Sequence, residues 1–216
     1  MTSRAAYPPI EELGLIGDRR TAAVIDRYGE VVWLCLPDFS SPPVFGALLD
    51  RARGGCWRMG PADKAALGVQ DYVDDTALLR TAWRNGDGDL ELVDLMAGPQ
   101  TRSEGAAHRT VLRRLRCSRG RVRASVALHP RADFGAPATA VPATGGWRLE
   151  TGGARLFAWA SFPLEATPEG LAADFELREG DEAWMALDWD AASRAWTVDA
   201  AEAATRETEA YWRAHA

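Results

Sequence analysis

The sequence predicts an all-β fold: an antiparallel two-sheet β-sandwich with one short helix after the first hairpin and a linker helix at the C-terminus. Three observations carry this. Apolar runs of strand length recur about every eight to twelve residues. Gly-, Asn-Gly- and Asp-Gly-containing turns separate them. Helical periodicity is nearly absent before Asp199. The 216 residues suffice for one large all-β domain, so the expected organisation is a sandwich over 1–198 and a helical segment over 199–216.

The first hairpin joins Thr21–Asp26 to Val31–Leu36 across Arg27-Tyr28-Gly29-Glu30, where Gly29 can supply a positive φ. The second strand is apolar almost throughout, as a strand covered on both faces would be. Pro37 ends it, since proline has no N–H for a ladder. After the loop Pro37–Ser40, Ser41 and Pro42 read as the N-cap and first residue of a short helix carrying Val44, Phe45, Leu48 and Leu49. Strands are then expected at Cys56–Met59, Gln70–Val73, Thr76–Arg84 and Asp89–Met96, the last two joined across Asn85-Gly86-Asp87-Gly88. Beyond the polar connector Ala97–Ala107, two hairpins are expected: His108–Cys117 with Arg121–His129 across Ser118-Arg119-Gly120, and Leu171–Arg178 with Glu182–Trp189 across Glu179-Gly180-Asp181. Between them Pro130–Ala143 reads as a loop, and Trp147–Thr151 pairs with Ala154–Ala160. Asp199 is the expected cap of a final helix with Ala204, Tyr211 and Trp212 on one face.

Composition excludes several classes. The net charge of −6 argues against nucleic acid or an anionic membrane as partner. Cys35, Cys56 and Cys117, with His108, His129 and His215, show no metal-ligand spacing, so no cofactor or metal is expected. Met1–Ile10 lacks an apolar run and no segment is long enough to cross a bilayer, so the cytoplasm is the expected location. Adjacent carboxylates occur at Glu11-Glu12, Asp74-Asp75 and around Asp188 and Asp190, in contexts where solvated or capping roles are expected rather than paired acid–base chemistry. The nine tryptophans admit sugar stacking. Trp33, Trp147, Trp159 and Trp184 lie in strand patterns that favour packing, while Trp57, Trp83 and Trp196 are ambiguous by alternation.

One stretch carries a resemblance. Gly14–Asp18 with Leu15-Ile16-Gly17, Thr21-Ala22-Ala23, Trp33–Pro37, Phe39, Ser41-Pro42, Phe45 and Leu48-Leu49-Asp50 match in order and spacing the opening of a known domain. It is similar to the N-terminal domain of bacterial family-15 glycoside hydrolases of the glucoamylase and trehalase-like group. Further similarity lies at Trp57–Ala62, at the strand ending in Asp94, at Arg113–Arg116, at His129–Gly135 and at Tyr211-Trp212-Arg213. The resemblance implies a β-sandwich whose partner is a catalytic (α/α)6 barrel bearing paired glutamates. The parent activity would be inverting hydrolysis of α-glucosides, for which carboxylates stand about 6.5–9.5 Å apart. No helical-repeat segment of that kind occurs in this sequence, so the chain reads as the non-catalytic N-terminal domain.

The same resemblance implies that loops of the β-domain approach the barrel's mouth, which makes Asp18, Arg19, Asp38, Phe39 and Ser40 the substrate-cleft candidates. This sequence departs from the pattern there. Asp38 stands for an arginine, Ser40 for an aspartate, and Val32 for the aspartate before Trp-Leu-Cys. Alternative readings are an independent carbohydrate-binding module, which needs an exposed aromatic platform, and a pure domain-interaction module.

Overall fold

The computed structural model describes residues 7–97, 109–189 and 196–216. His108, Asp190 and all but the first residue of the polar connector lie outside them. Among the described residues, fifteen strands form two antiparallel layers. They are β1 (Leu13–Gly17), β2 (Ala22–Asp26), β3 (Glu30–Cys35), β4 (Pro43–Phe45), β5 (Cys56–Pro61), β6 (Val69–Tyr72), β7 (Leu79–Arg84) and β8 (Gly88–Met96). There follow β9 (Thr110–His129), β10 (Thr139–Ala143), β11 (Gly146–Thr151), β12 (Ala154–Ala160), β13 (Glu165–Thr167), β14 (Gly170–Arg178) and β15 (Glu182–Trp189).

The layers are joined by β9, a single strand of 20 residues. Its first half pairs with β8 and β15, in the layer that also holds β6, β7 and β12 to β10. Its second half pairs with β5 and β14, in the layer that continues through β3, β2 and β1. The predicted turn at Ser118-Arg119-Gly120 is therefore a bend inside one strand. A register shift sits beside Leu90 and Cys117, and Gly120 has φ 71°. An extra residue on one strand bends and twists it. A Cβ at Gly120 would lie 2.2 Å from the Asp87 carbonyl, which excludes a larger residue at the crossing.

The predicted pairing of the Leu171–Arg178 and Glu182–Trp189 runs fails for the same reason. Their turn crosses beside the β9 bend, with Glu179 N–H donating to the Gly120 carbonyl and Gly180 N–H to that of Cys117, each at 2.9 Å. β14 thus enters one layer and β15 the other. Turn-type residues mark a change of direction, and here the change leads to another sheet.

The predicted helix after the first hairpin is absent. The residue before a proline is pushed toward extended backbone, and Pro42-Pro43 leads into β4, whose Pro43, Val44 and Phe45 are all buried against β3. Ser41 caps no helix; its Oγ accepts from Asp38 N–H at 3.2 Å. Leu49, expected on the apolar face, is exposed. Within the expected loop 130–143, Ala132–Gly135 is a single tight turn with positive φ at Asp133 and Phe134, and Thr139–Ala143 is β10. The first hairpin itself forms as expected: β2 pairs with β3, and Gly29 has φ 72°.

Two apolar clusters result. The larger lies between the layers and includes Ile25, Leu34, Trp57, Leu92, Leu115 and Met185. The smaller lies on the outer face of the β8–β9–β15–β12 layer, where Val93, Leu112, Trp159, Trp184 and Ala186 meet Trp196, Ala201 and Ala204. Strands in this layer are apolar on both faces because the C-terminal helix, Val198–Arg213, covers the second one. Each buried aliphatic side chain contributes about 1.5–3 kcal/mol. The helix cap is Thr197 rather than Asp199, its hydroxyl accepting from Ala200 N–H at 3.1 Å. Thr205 and Thr208 are buried on the helix's inner side because their hydroxyls donate to the Ala201 and Ala204 carbonyls. Ahead of the helix, Trp196 Nε1 donates to Asp188 at 2.6 Å, and Thr110 holds the other carboxylate oxygen. Among the described residues no helix is long and apolar enough to cross a membrane.

Candidate functional site

Asp18 and Asp38, two of the five predicted residues, are joined at one rim of the sandwich by an arginine that sequence reasoning missed. Arg109, directly before β9, is only 5% exposed. Its Nε donates to the Pro37 carbonyl at 2.9 Å and lies 3.6 Å from Asp18 Oδ2, while Nη2 lies 3.4 Å from Asp38 Oδ1. One guanidinium thus ties the β1–β2 turn to the loop after β3.

Local chemistry explains why each loop presents its carboxylate. Asp18 Oδ1 accepts the N–H groups of Arg20 and Thr21, both at 2.9 Å, which closes the turn and leaves Oδ2 for Arg109. Thr21 Oγ donates to the Cys35 carbonyl at 2.6 Å, and Phe39 N–H donates to the Arg20 carbonyl at 3.3 Å, binding the two loops together. Leu36–Pro37 is a cis peptide. Asp38 and Ser41 close the loop on themselves through Ser41 N–H to the Asp38 carbonyl at 3.0 Å. Phe39 is 64% exposed and Ser40 is exposed. Phe39 is held by its backbone while its ring stands outward, whereas Ser40 has no side-chain contact with this arrangement.

Arg19 turns the other way. It sits at φ 69°, and its Nη1 donates to the Tyr211 hydroxyl at 2.5 Å. Tyr211 stacks on His215 at 4.2 Å between centroids and meets Trp212 edge-on at 5.5 Å. The far end of the C-terminal helix is therefore fastened to the same rim. The Tyr-Trp-Arg run hinted at Tyr211. Nothing in the sequence links Arg109, a member of the expected strand His108–Cys117, to loops at Asp38 and Asp18 far earlier in the chain.

Among the described residues, the adjacent carboxylates take separate structural places. Asp74 and Asp75 are exposed in a turn, with Asp75 at positive φ. Glu12 pairs with Arg27 at 3.4 Å, and Asp188 is fully buried in the bonds that hold Thr110 and Trp196. Among the described residues no three His, Cys, Asp or Glu side chains converge as a metal site. Trp57, Trp83, Trp159, Trp184 and Trp196 are buried, and Trp33, Trp147, Trp189 and Trp212 are half-buried.

The class the fold defines is a crossed-over β-sandwich with its terminal helix fastened beside two loops. Residues 2–158 match the trehalase-like N-terminal domain family, and the chain belongs to it. It is 29% identical over 234 residues to a trehalase of Mycolicibacterium smegmatis, covering 98% of this chain and 35% of that protein. With a trehalase of Mycobacterium tuberculosis the identity is 28% over 237 residues, covering 97% and 34%. A trehalase of Thermoplasma volcanium is 38% identical over 92 residues, covering 42% of this chain and 15% of its own length. The chain spans about a third of the length of the two mycobacterial relatives.

Proposed function

We propose that this domain supplies the Asp18–Arg109–Asp38 rim to the interface with a helical (α/α)6 catalytic domain of an inverting, trehalase-like α-glucoside hydrolase. In this reading it helps to shape the cleft and is not the seat of bond cleavage. The observation that carries it is the Arg19–Tyr211 hydrogen bond. It brings the end of the last helix to the two candidate loops, so the segment from about Asp199 acts as the connector toward the partner domain. Exposed Phe39 then becomes a contact of that interface, and the paired aspartates hold the loops at fixed heights around Arg109.

The test has two arms. Glucose release from trehalose, maltose or soluble starch by the chain alone is expected to equal a buffer blank. Release that Asp74→Asn abolishes would place the chemistry in this chain and overturn the reading. In the second arm, the remaining two-thirds of the M. smegmatis trehalase is expressed separately and mixed with this chain. Phe39→Ala and Asp38→Ala are expected to weaken their association. Association untouched by both variants would remove the rim from the interface.

A further inference from the structure

The outer face of the β3–β5–β9–β14 layer holds a cleft of about 690 Å³ that shares no residue with the Arg109 rim. Its size falls within the roughly 300–1,000 Å³ of small-molecule sites. Strand register builds it. Glu30, Arg58, Ala127 and Ala172 face one another across four strands, and Ser125 with Asp174 forms the next row on the same face. The floor is low because Ala127 and Ala172 carry only a methyl group. Cys56 and His129 close one end, with Sγ 3.8 Å from Nδ1.

The polar lining is organised before any ligand arrives. Arg58 is 5% exposed, and its guanidinium is fixed by Ser125 Oγ at 2.9 Å and the Pro61 carbonyl at 2.5 Å. Glu30 is equally buried and lies 3.7 Å from Arg51. His129 Nδ1 lies 3.4 Å from Glu169. At the rim, Lys64 and Asp174 line the cleft and are exposed. Burying a charge without a partner is costly, and this decides the ligand class. An anion placed here meets Glu30, Glu169 and Asp174. A cation meets Arg58 and Lys64. An apolar ligand finds little beyond Val126, Ala127 and Ala172. A ligand bearing many hydroxyls satisfies both signs, because each hydroxyl donates one hydrogen bond and accepts others.

We propose that this cleft binds a neutral, hydroxyl-rich small molecule of the saccharide or polyol class, with Lys64 and Asp174 as its rim contacts. The test is an amide-resolved NMR titration of the chain with glucose, trehalose and sorbitol, and with glycine and sulfate as charged competitors. Concentrations stay in the low millimolar range, where the general stabilisation by excluded sugars is small. Saturable shifts are expected at the amides of Lys64, Ala127, Ala172 and Asp174 with at least one hydroxylated ligand. A response to sugars but not sorbitol assigns a ring-shaped saccharide, and a response to sorbitol as well assigns the broader polyol class. Lys64→Ala and Asp174→Ala, both at exposed positions, are expected to weaken binding about tenfold each, as loss of a hydrogen bond to a charged group does. Ala172→Leu fills the floor and is expected to abolish binding. Absence of saturation, tighter binding of sulfate or glycine, or an unchanged dissociation constant in all three variants overturns the proposal. None of these outcomes bears on the Arg109 rim.

Discussion

Arg109 and Arg113 lie four residues apart in the chain and meet aspartates in opposite ways. Arg113 is completely buried, donates from Nε to Asp94 at 2.7 Å and from Nη2 at 3.2 Å, and gives its remaining bonds to the Trp57 and Gly29 carbonyls at 2.7 and 2.8 Å. The Trp57 ring covers it at 5.0 Å. Burial pushes the Asp94 carboxyl up from its ordinary range and the Arg113 charge draws it back. Arg109 sits at the edge, makes longer ion pairs of 3.4 and 3.6 Å, and one of its aspartates, Asp38, has a side chain 51% exposed. The first arrangement is closed and leaves nothing for a partner to read. The second is pinned on one side and open on the other, and that openness makes it the candidate for recognition.

Breaking the closed pair has the largest expected effect. Removing one member of a buried ion pair strands the other charge, at about 3–5 kcal/mol. Asp94→Ala is expected to lower the urea midpoint by that equivalent or to prevent folding. The double change of Asp94 and Arg113 to apolar residues of similar volume is expected to recover most of the loss. A single variant as stable as the parent would mean that water reaches this site and the contrast fails.

Opening the rim comes next. Arg109→Ala leaves the half-buried Pro37 carbonyl without its donor and Asp18 without the guanidinium beside it, a loss of about 1–3 kcal/mol. The same denaturation experiment reads it, and a cost equal to that of Asp94→Ala would make the two sites energetically alike. Amide exchange is expected to quicken at Asp38 and Phe39 while β3 keeps its protection.

These two sites also show what the sequence discloses. The layered all-β architecture, the Gly29 hairpin and the terminal helix were legible because each rests on local chemistry: apolar alternation, a positive-φ glycine, a capping threonine close before the expected aspartate. The β9 crossover was not. A strand that bends at Ser118–Gly120 and a hairpin that reverses there have the same composition, and only the distant partners β5 and β15 distinguish them. The Asp18 and Asp38 loops were found through their match to a family pattern. Arg109 was not, because a guanidinium that joins two loops leaves no mark near itself in the chain. The helix expected after Pro42 failed for a local reason: four apolar residues at helical spacing also suit a short strand and a turn when two prolines precede them.

His129 offers a case between the two arginines, half-buried with one side in the outer cleft. Burial lowers its tendency to take a proton; Glu169 opposes this, and Arg131 and Lys64 reinforce it. The net direction is a folded-state value below the unfolded one of about 6.5. Such a group contributes stability that is present above the unfolded value and is lost as pH falls through it toward the folded one. Stability of the chain is therefore expected to decline on the acid side of about pH 6.5, and His129→Gln is expected to flatten that part of the profile. An unchanged slope in the variant would show that Glu169, 3.4 Å from Nδ1, already compensates the buried proton in full.

The smallest effect belongs to Asp38, and its smallness is what sharpens the comparison. Its carboxylate lies 3.4 Å from Arg109 Nη2, yet half of its side chain faces water. Exposed pairs contribute about 0–1 kcal/mol because solvent and salt screen them. Asp38→Ala is therefore expected to shift the urea midpoint by less than Arg109→Ala, and raising the salt concentration is expected to erase even that. Arg109 keeps its bond to Pro37 and its approach to Asp18 in this variant, so the loop stays in place. A rim residue of this kind can be exchanged at little cost to the fold, which fits the departure of this position, together with Ser40, from the pattern the rest of the stretch follows. If Asp38→Ala instead costs as much as Arg109→Ala, the carboxylate belongs to the support of the loop, and the open side of the rim reduces to Phe39.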